Sequence, residues 1–262
     1  TKCFNTVFNT ETCTMSDHTF FPILIALTFL TAGTVKGITG MGLPTVAMGI
    51  LGAFMSPTMA AALLLIPSLV TNVWQMLAGK SLAILVRRFG LMLACVVIGT
   101  VMGAQLLQDI SPLWAGFGLG VALMGYAGYS LFAPNLSIPP LWESKLSPLI
   151  GMVTGFITGL TGVFVMPAVP YLSALKMDKE TLVQALGLSF TVSTVALGLG
   201  LFHQQALNLS QLQASAWAVM PALLGMWLGQ HIRQRISPKR FRVCFLTFLM
   251  MLGLQLLLKP WY

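Results

Sequence analysis

The chain carries one pattern twice, in residues suited to lipid. Gly37-Ile38-Thr39-Gly40 returns as Gly159-Leu160-Thr161-Gly162, and a proline follows each within five residues, Pro44 and Pro167. Farther on, Gly99 and Gly103 leading to Ile110-Ser111-Pro112 return as Gly225 and Gly229 leading to Ile236-Ser237-Pro238. The offset is 122 residues at the first match and 126 at the second, so the correspondence runs through a whole half of the chain. Recurrence at that distance is an internal duplication. In a membrane chain it predicts a transporter with its pathway between the two halves.

A bilayer setting follows from 56% hydrophobic residues, 8% charged residues and uncharged apolar runs of about 18 positions or more. The runs lie near 58–78, 89–107, 112–132, 181–202, 212–230 and 243–258, and they predict six spanning helices. A formal charge of +8 would suit nucleic acid if the basic residues clustered with aromatics on one soluble face. They fall in short loops beside the spans instead, which argues for topology and against nucleic acid. Cys3, Cys13, Cys95 and Cys244 have no C-x-x-C spacing and no histidine at ligand distance, so no metal and no cofactor is expected. Residues 1–18 hold no apolar core and no small-residue cleavage site, and a removable signal peptide is not expected.

Two further apolar stretches, 19–55 and 147–175, are interrupted by glycine clusters. If each crosses the membrane once, the loop Lys and Arg divide as six against seven, with no bias. If each enters and leaves on one side, only Lys2 and Lys259 lie opposite the other eleven, which is the asymmetry that positive-inside topology produces. Both stretches are therefore read as hairpins, and both termini as extracytoplasmic. Each half then has one hairpin and three crossings, an odd number, so the halves are inverted relative to each other. The arms 44–55, 147–158 and 163–175 have 12 or 13 residues, about 18 to 20 Å of helix against a hydrocarbon core of about 30 Å. Their tips are expected at mid-membrane; the leading arm 19–36 is longer and nearly spans.

Irregular backbone at such depth survives only where protein or a wet cavity satisfies its amides. Gly37, Gly40 and Gly42 in the first tip, flanking Met41, and Gly159 and Gly162 in the second permit tight turns and close approach of a ligand. A new helix is expected after each turn, its N-terminal N–H groups and positive dipole end facing the tip, a setting that attracts anions. Thr39 and Thr161 place hydroxyls at equivalent positions. Small residues at such spacing also serve plain helix packing, the favoured reading for Gly99/Gly103 and Gly225/Gly229.

Lys36, just before the first tip, is the one charge placed within the hydrophobic depth. Ionisable groups there cost about 2.5 to 3.5 kcal/mol on insertion scales and usually face an interior pathway. It reads as a substrate-attracting cation or as a lysine snorkelling to an interface; its counterpart in the second half is Thr158. The helices that follow carry Ser68, Thr71, Asn72 and Gln75 on one face, and Ser189, Thr191, Ser193 and Thr194 in the second half. Asn72 and Gln75 are the stronger cavity candidates, because Ser and Thr in membrane helices often bond back to their own backbone. Every Asp and Glu lies in the terminus or the loops, so no carboxylate proton relay is visible. No nucleophile–base pair lies at depth, and the chain is not read as an enzyme.

The run Gly33-Thr34-Val35-Lys36-Gly37-Ile38-Thr39-Gly40-Met41-Gly42, its copy Gly155-Phe156-Ile157-Thr158-Gly159-Leu160-Thr161-Gly162 and the repeated glycine helices ending in Ser-Pro resemble the sulfite exporter TauE/SafE family of membrane permeases over residues 19–258. Val163-Phe164 stands where the first tip has Met41-Gly42, a departure from two equal loops. The resemblance implies transport of a small sulfur-containing anion such as sulfite, sulfoacetate, another sulfonate or thiosulfate.

Together these readings predict an all-α polytopic membrane protein of two inverted-topology repeats. An extracytoplasmic segment 1–18 precedes repeat one, 19–132; a cytoplasmic linker 133–146 leads to repeat two, 147–258. The expected setting is the plasma (inner) membrane, with lipid and the anion as partners. Candidate substrate ligands are Lys36, Gly37, Thr39, Gly40, Met41, Gly42, Asn72, Gln75, Thr158, Gly159, Thr161, Gly162, Thr191 and Thr194. Export is the favoured direction; the alternatives are uptake coupled to protons or a partner, and a membrane scaffold without transport.

Overall fold

The computed structural model describes residues 15–132, 137–233 and 238–259. Among these the regular structure is entirely helical: α1 (Met15–Thr39), α2 (Leu43–Phe54), α3 (Pro57–Leu77), α4 (Leu82–Asp109), α5 (Pro112–Phe132), α6 (Pro140–Thr161), α7 (Ala168–Ala174), α8 (Lys179–His203), α9 (Leu209–Trp217), α10 (Val219–Arg233) and α11 (Pro238–Leu258). Six stretches of the described residues are long and apolar enough to cross a membrane: Phe20–Thr39, Pro57–Leu77, Leu82–Leu107, Pro112–Phe132, Lys179–His203 and Leu209–Arg233. Five coincide with expected spans. The sixth expected span, 243–258, is a shorter apolar stretch carried by the 21 residues of α11. In its place the leading arm of the first hairpin qualifies: α1 has 25 residues, about 37 Å.

Helix ends follow local chemistry. Ser56 caps α3, its side chain accepting from the Met59 N–H, with Pro57 in the first turn where no N–H is needed. Asp178 caps α8 by accepting from the Thr181 N–H at 2.9 Å. The expected span 212–230 is interrupted at Ala218, between α9 and α10. The ring of Pro221 opposes the carbonyl four residues earlier, on Trp217, which is where α9 ends.

The two hairpins differ, and prolines explain how. In the first, Pro44 stands in the opening turn of α2, so the helix resumes at once after Gly42. In the second, Pro167 forces the preceding residue out of helical backbone. Residues 163–165 stay irregular, and α7 is only 7 residues long where an arm of 13 was expected. The arm before it is longer than expected, because α6 starts at Pro140.

The halves interlock by exchanging equivalent contacts. α1 packs along α10, and α4 along α6, so each hairpin's leading helix lies against a helix of the other half. A methyl on Gly33 would fall 2.1 Å from the Ala222 carbonyl oxygen and one on Gly37 2.2 Å from that of Met226. Equivalently, Gly155 and Gly159 would meet the carbonyls of Val96 and Thr100, at 2.2 and 2.3 Å. Adding 122 to the first member of each pair and subtracting 126 from the second turns one set into the other. Such reciprocity is the mark of a two-fold relation, here within one chain. α3 crosses its own counterpart α8 antiparallel: Gly187 lies by Gln75 and Met76, and Gly198 by Leu65.

Pro67 lies inside α3 near its middle and deprives the Leu63 carbonyl of its helical donor. Ser215 of α9 supplies the missing proton: its Oγ donates to the Leu63 carbonyl at 2.8 Å and accepts from the Ile66 N–H at 3.1 Å. Ser215→Ala is expected to cost about 1 to 3 kcal/mol, the penalty for a buried polar group left unpaired. The check is a lowered thermal midpoint in detergent.

Candidate functional site

Lys36 is the one charged side chain buried among the described residues, at 3% exposure. Because α1 presents it one turn before its C-terminal end, its ammonium meets α3 rather than solvent. It donates to Thr71 Oγ1 at 3.1 Å and closely to Asn72 Oδ1. Asn72 Nδ2 in turn donates to Ser68 Oγ at 3.0 Å and to Thr194 Oγ1 at 3.4 Å. Ser68 and Thr194 hydroxyls lie 3.4 Å apart. Spacings of three and four put Ser68, Thr71 and Asn72 on one face of α3, and all three are fully buried. No carboxylate pairs with Lys36 among the described residues.

The network sits where the halves meet. Asn72 and Thr194 are 122 positions apart, the offset of the repeat, so this contact joins equivalent residues of the two copies and marks the pseudo-axis. One turn farther along α3, Gln75 Nε2 donates to the Gly40 carbonyl at 3.0 Å and to the Val183 carbonyl at 2.9 Å. Gln75 thus ties the first tip to α8 next to the axis. Gln184 completes the clasp, donating to the Met76 carbonyl at 2.8 Å and accepting from the Ser81 N–H at 2.9 Å.

The tips are turns that glycine permits and threonine braces. Gly40 and Gly42 have φ of 79° and 100°, and Gly162 has φ of 69°, backbone that residues with a Cβ resist. Thr39 Oγ1 donates to the carbonyls of Val35 and Met41 and accepts from the Met41 N–H at 3.2 Å. Thr161 repeats this, donating to the Ile157 carbonyl at 2.7 Å and accepting from the Val163 N–H at 3.2 Å. Tyr126 Oη points at the Met41 sulfur at 3.8 Å. The second tip closes on the first hairpin, with Gly162 set against the Met48 side chain of α2.

The family model for the sulfite exporter TauE/SafE family matches residues 25–256, nearly the whole described chain. The chain belongs to the sulfite exporter TauE/SafE family. No curated protein and no solved structure matches it. As a TauE/SafE member with six candidate spans, it is a multi-pass membrane protein of a sulfur-anion transporter family.

Within this TauE/SafE chain the expected residues divide into two groups. Lys36, Asn72 and Thr194 join one hydrogen-bond network, and one turn along α3 Gln75 bonds Gly40 in a separate contact. No hydrogen bond among the described residues links Thr158, Thr161 or Thr191 to it: Thr158 and Thr191 donate to the carbonyls of Thr154 and Gly187, each at 2.7 Å. Gly37 and Gly159 are occupied from outside the tips, by α10 and α4 backbone. Ser189 and Ser193, one turn apart on α8 beside Thr194, hold buried hydroxyls with no partner among the described residues. Gln184 went unsingled in the sequence. Its signal is a lone amide one turn inside an apolar span, the same placement that picks out Gln75.

Proposed function

We propose that this TauE/SafE protein exports a small sulfur-containing anion, sulfite, sulfoacetate or a related sulfonate, through a site around Lys36 between the two hairpins. The observation that carries the reading is the Lys36 ammonium, buried among neutral oxygens. Burying a charge without a counter-ion is costly, and at membrane depth it costs about 2.5 to 3.5 kcal/mol. An anionic substrate is the missing partner: it offsets that cost and bonds to the donors already gathered there. Asn72 and the Ser68 hydroxyl supply neutral contacts of the kind that hold a tetrahedral or pyramidal oxyanion, and the unpartnered Ser189 and Ser193 on α8 add hydroxyls near Thr194, whose own proton goes to the Phe190 carbonyl at 2.7 Å. In this arrangement Thr39 and Thr161 brace the tips, while Gln75 and Gln184 hold one side of the site shut.

Inverted repeats support placing the site at mid-depth. The antiparallel crossing of α3 on α8 favours inversion, since a two-fold axis that reverses a helix lies across it. Side assignment rests on the basic residues. Contacts draw several of them to one end of the bundle: Gln184 bonds the loop that carries Lys80, and Arg88 pairs with Glu143 Oε2 at 2.8 Å. Positive-inside topology makes that end cytoplasmic. In the plasma membrane, with the cell interior negative, expelling one negative charge is favoured by about 2.3 kcal/mol per 100 mV. Export therefore needs no coupling ion.

Purified protein in liposomes, loaded with sulfite or methanesulfonate, tests the reading. An imposed inside-negative potential is expected to drive efflux, and reversing it to slow efflux. Flux that ignores voltage and follows a proton gradient would favour coupled uptake instead, and absence of flux for every sulfur anion would favour a scaffold.

A further inference from the structure

We infer that the site selects anions carrying one net negative charge, so that for sulfite the transported form is hydrogensulfite, and that Thr158 is where the second half withholds a second cation. This rests on the proposed function, with Lys36 as substrate ligand, and concerns what the site accepts.

The repeat offers two equivalent positions for a cation, and the chain fills one. Lys36 in the first half corresponds to Thr158 in the second. Under the same offset Lys36 and Asn72, which touch, map onto Thr158 and Thr194, and Thr194 meets Asn72 across the axis. Thr158 is fully buried, and its hydroxyl is spent on the Thr154 carbonyl, so this position carries no charge. The other groups in the network, Ser68, Thr71, Asn72 and Thr194, are neutral as well. Among the elements against α1, α2 and α3 contain no ionisable side chain, the last-turn His231 and Arg233 of α10 are exposed, and α11 carries its basic residues Lys239, Arg240 and Arg242 in its first five positions.

Charge balance then decides between substrates of similar shape. With a monoanion bound, the ammonium and its ligand sum to zero, and the occupied site carries no net charge at depth. With a dianion bound, one negative charge is left with neutral dipoles alone, the situation that membrane proteins avoid. Methanesulfonate and hydrogensulfite fit the first case; sulfite dianion, sulfate, thiosulfate and sulfoacetate, whose carboxylate is ionised beside its sulfonate, fall in the second, so the inference narrows the proposed substrates to hydrogensulfite and monosulfonates.

Liposome flux of methanesulfonate, sulfate and thiosulfate, measured side by side, is the test. The native protein is expected to favour methanesulfonate on the order of 100-fold, the factor that an unpaired charge at depth implies. Thr158→Lys is expected to narrow that preference at least about tenfold by raising dianion flux, with the protein monodisperse in detergent. Comparable flux of methanesulfonate and thiosulfate in the native protein overturns the inference and leaves the proposed function standing; no flux of any sulfur anion overturns both. A folded Thr158→Lys that keeps the native preference means shape, not charge, excludes dianions, and it too overturns the inference. Should Thr158→Lys fail to fold, the native preference decides alone.

Discussion

Lys36→Ala is expected to lower sulfur-anion flux by on the order of 100-fold or more, the factor that follows if the one buried charge among the described residues compensates the substrate at depth. Stability should move far less. The substitution removes the cost of burying an uncompensated ammonium, about 2.5 to 3.5 kcal/mol. Against that stands the Asn72 carbonyl oxygen left without its donor, about 1 to 3 kcal/mol; Thr71 keeps its bond to the Pro67 carbonyl at 2.8 Å. The two effects are of similar size and opposite sign. A cavity adds to the alanine variant, so Lys36→Met, which conserves volume and removes the charge, is the cleaner companion. Both variants are expected to stay monodisperse in detergent with little change in thermal midpoint while losing flux. If Lys36→Met transports normally, Lys36 is a structural residue and the site lies elsewhere.

The fold was legible wherever one residue type dominates a long stretch. Apolar runs located most of the helices, because length and the absence of charge suffice to mark a span. The duplication was visible because Gly33, Gly37, Gly155 and Gly159 lie where helix backbones touch, and nothing larger fits. The short second arm was harder to read. Pro167 marks a helix start as easily as it marks a delay, and only the irregular 163–165 run decides between them.

In the site, Lys36 and Asn72 stood out because a charge and an amide are rare in an apolar helix, and the structure joins them. Thr39, Thr158, Thr161 and Thr191 did not reveal their roles, since a hydroxyl that braces its own backbone has the same letter as one that faces a ligand. Gly37 and Gly159 misdirect in the same way. Read from sequence they admit a ligand to the tips, but the neighbours that close on them belong to the opposite half of the chain.

Those glycines set the second large effect. Gly37→Ala places a methyl 2.2 Å from the Met226 carbonyl oxygen, and Gly159→Ala places one 2.3 Å from that of Thr100. Both obstacles are helix backbone, which cannot rotate away as a side chain would, so α1 must draw back from α10, and α6 from α4. Overpacking of this kind costs about 1 to 3 kcal/mol per site. The two sites share no contact residue, so their effects should add, to about 2 to 6 kcal/mol in the double variant, a large part of the 5 to 15 kcal/mol that holds typical proteins folded. Each single variant is expected to lower the thermal midpoint and the yield of monodisperse protein, and the double variant to aggregate on extraction. Gly118→Ala is the control: in α5 a methyl there meets nothing within 4 Å, and alanine's better helix propensity stabilises by up to about 1 kcal/mol. Equal behaviour of Gly37→Ala and Gly118→Ala would mean that α1 and α10 do not touch through this stripe. The interlock of the two halves, and with it the pseudo-axis that brings Asn72 to Thr194, would then have no footing.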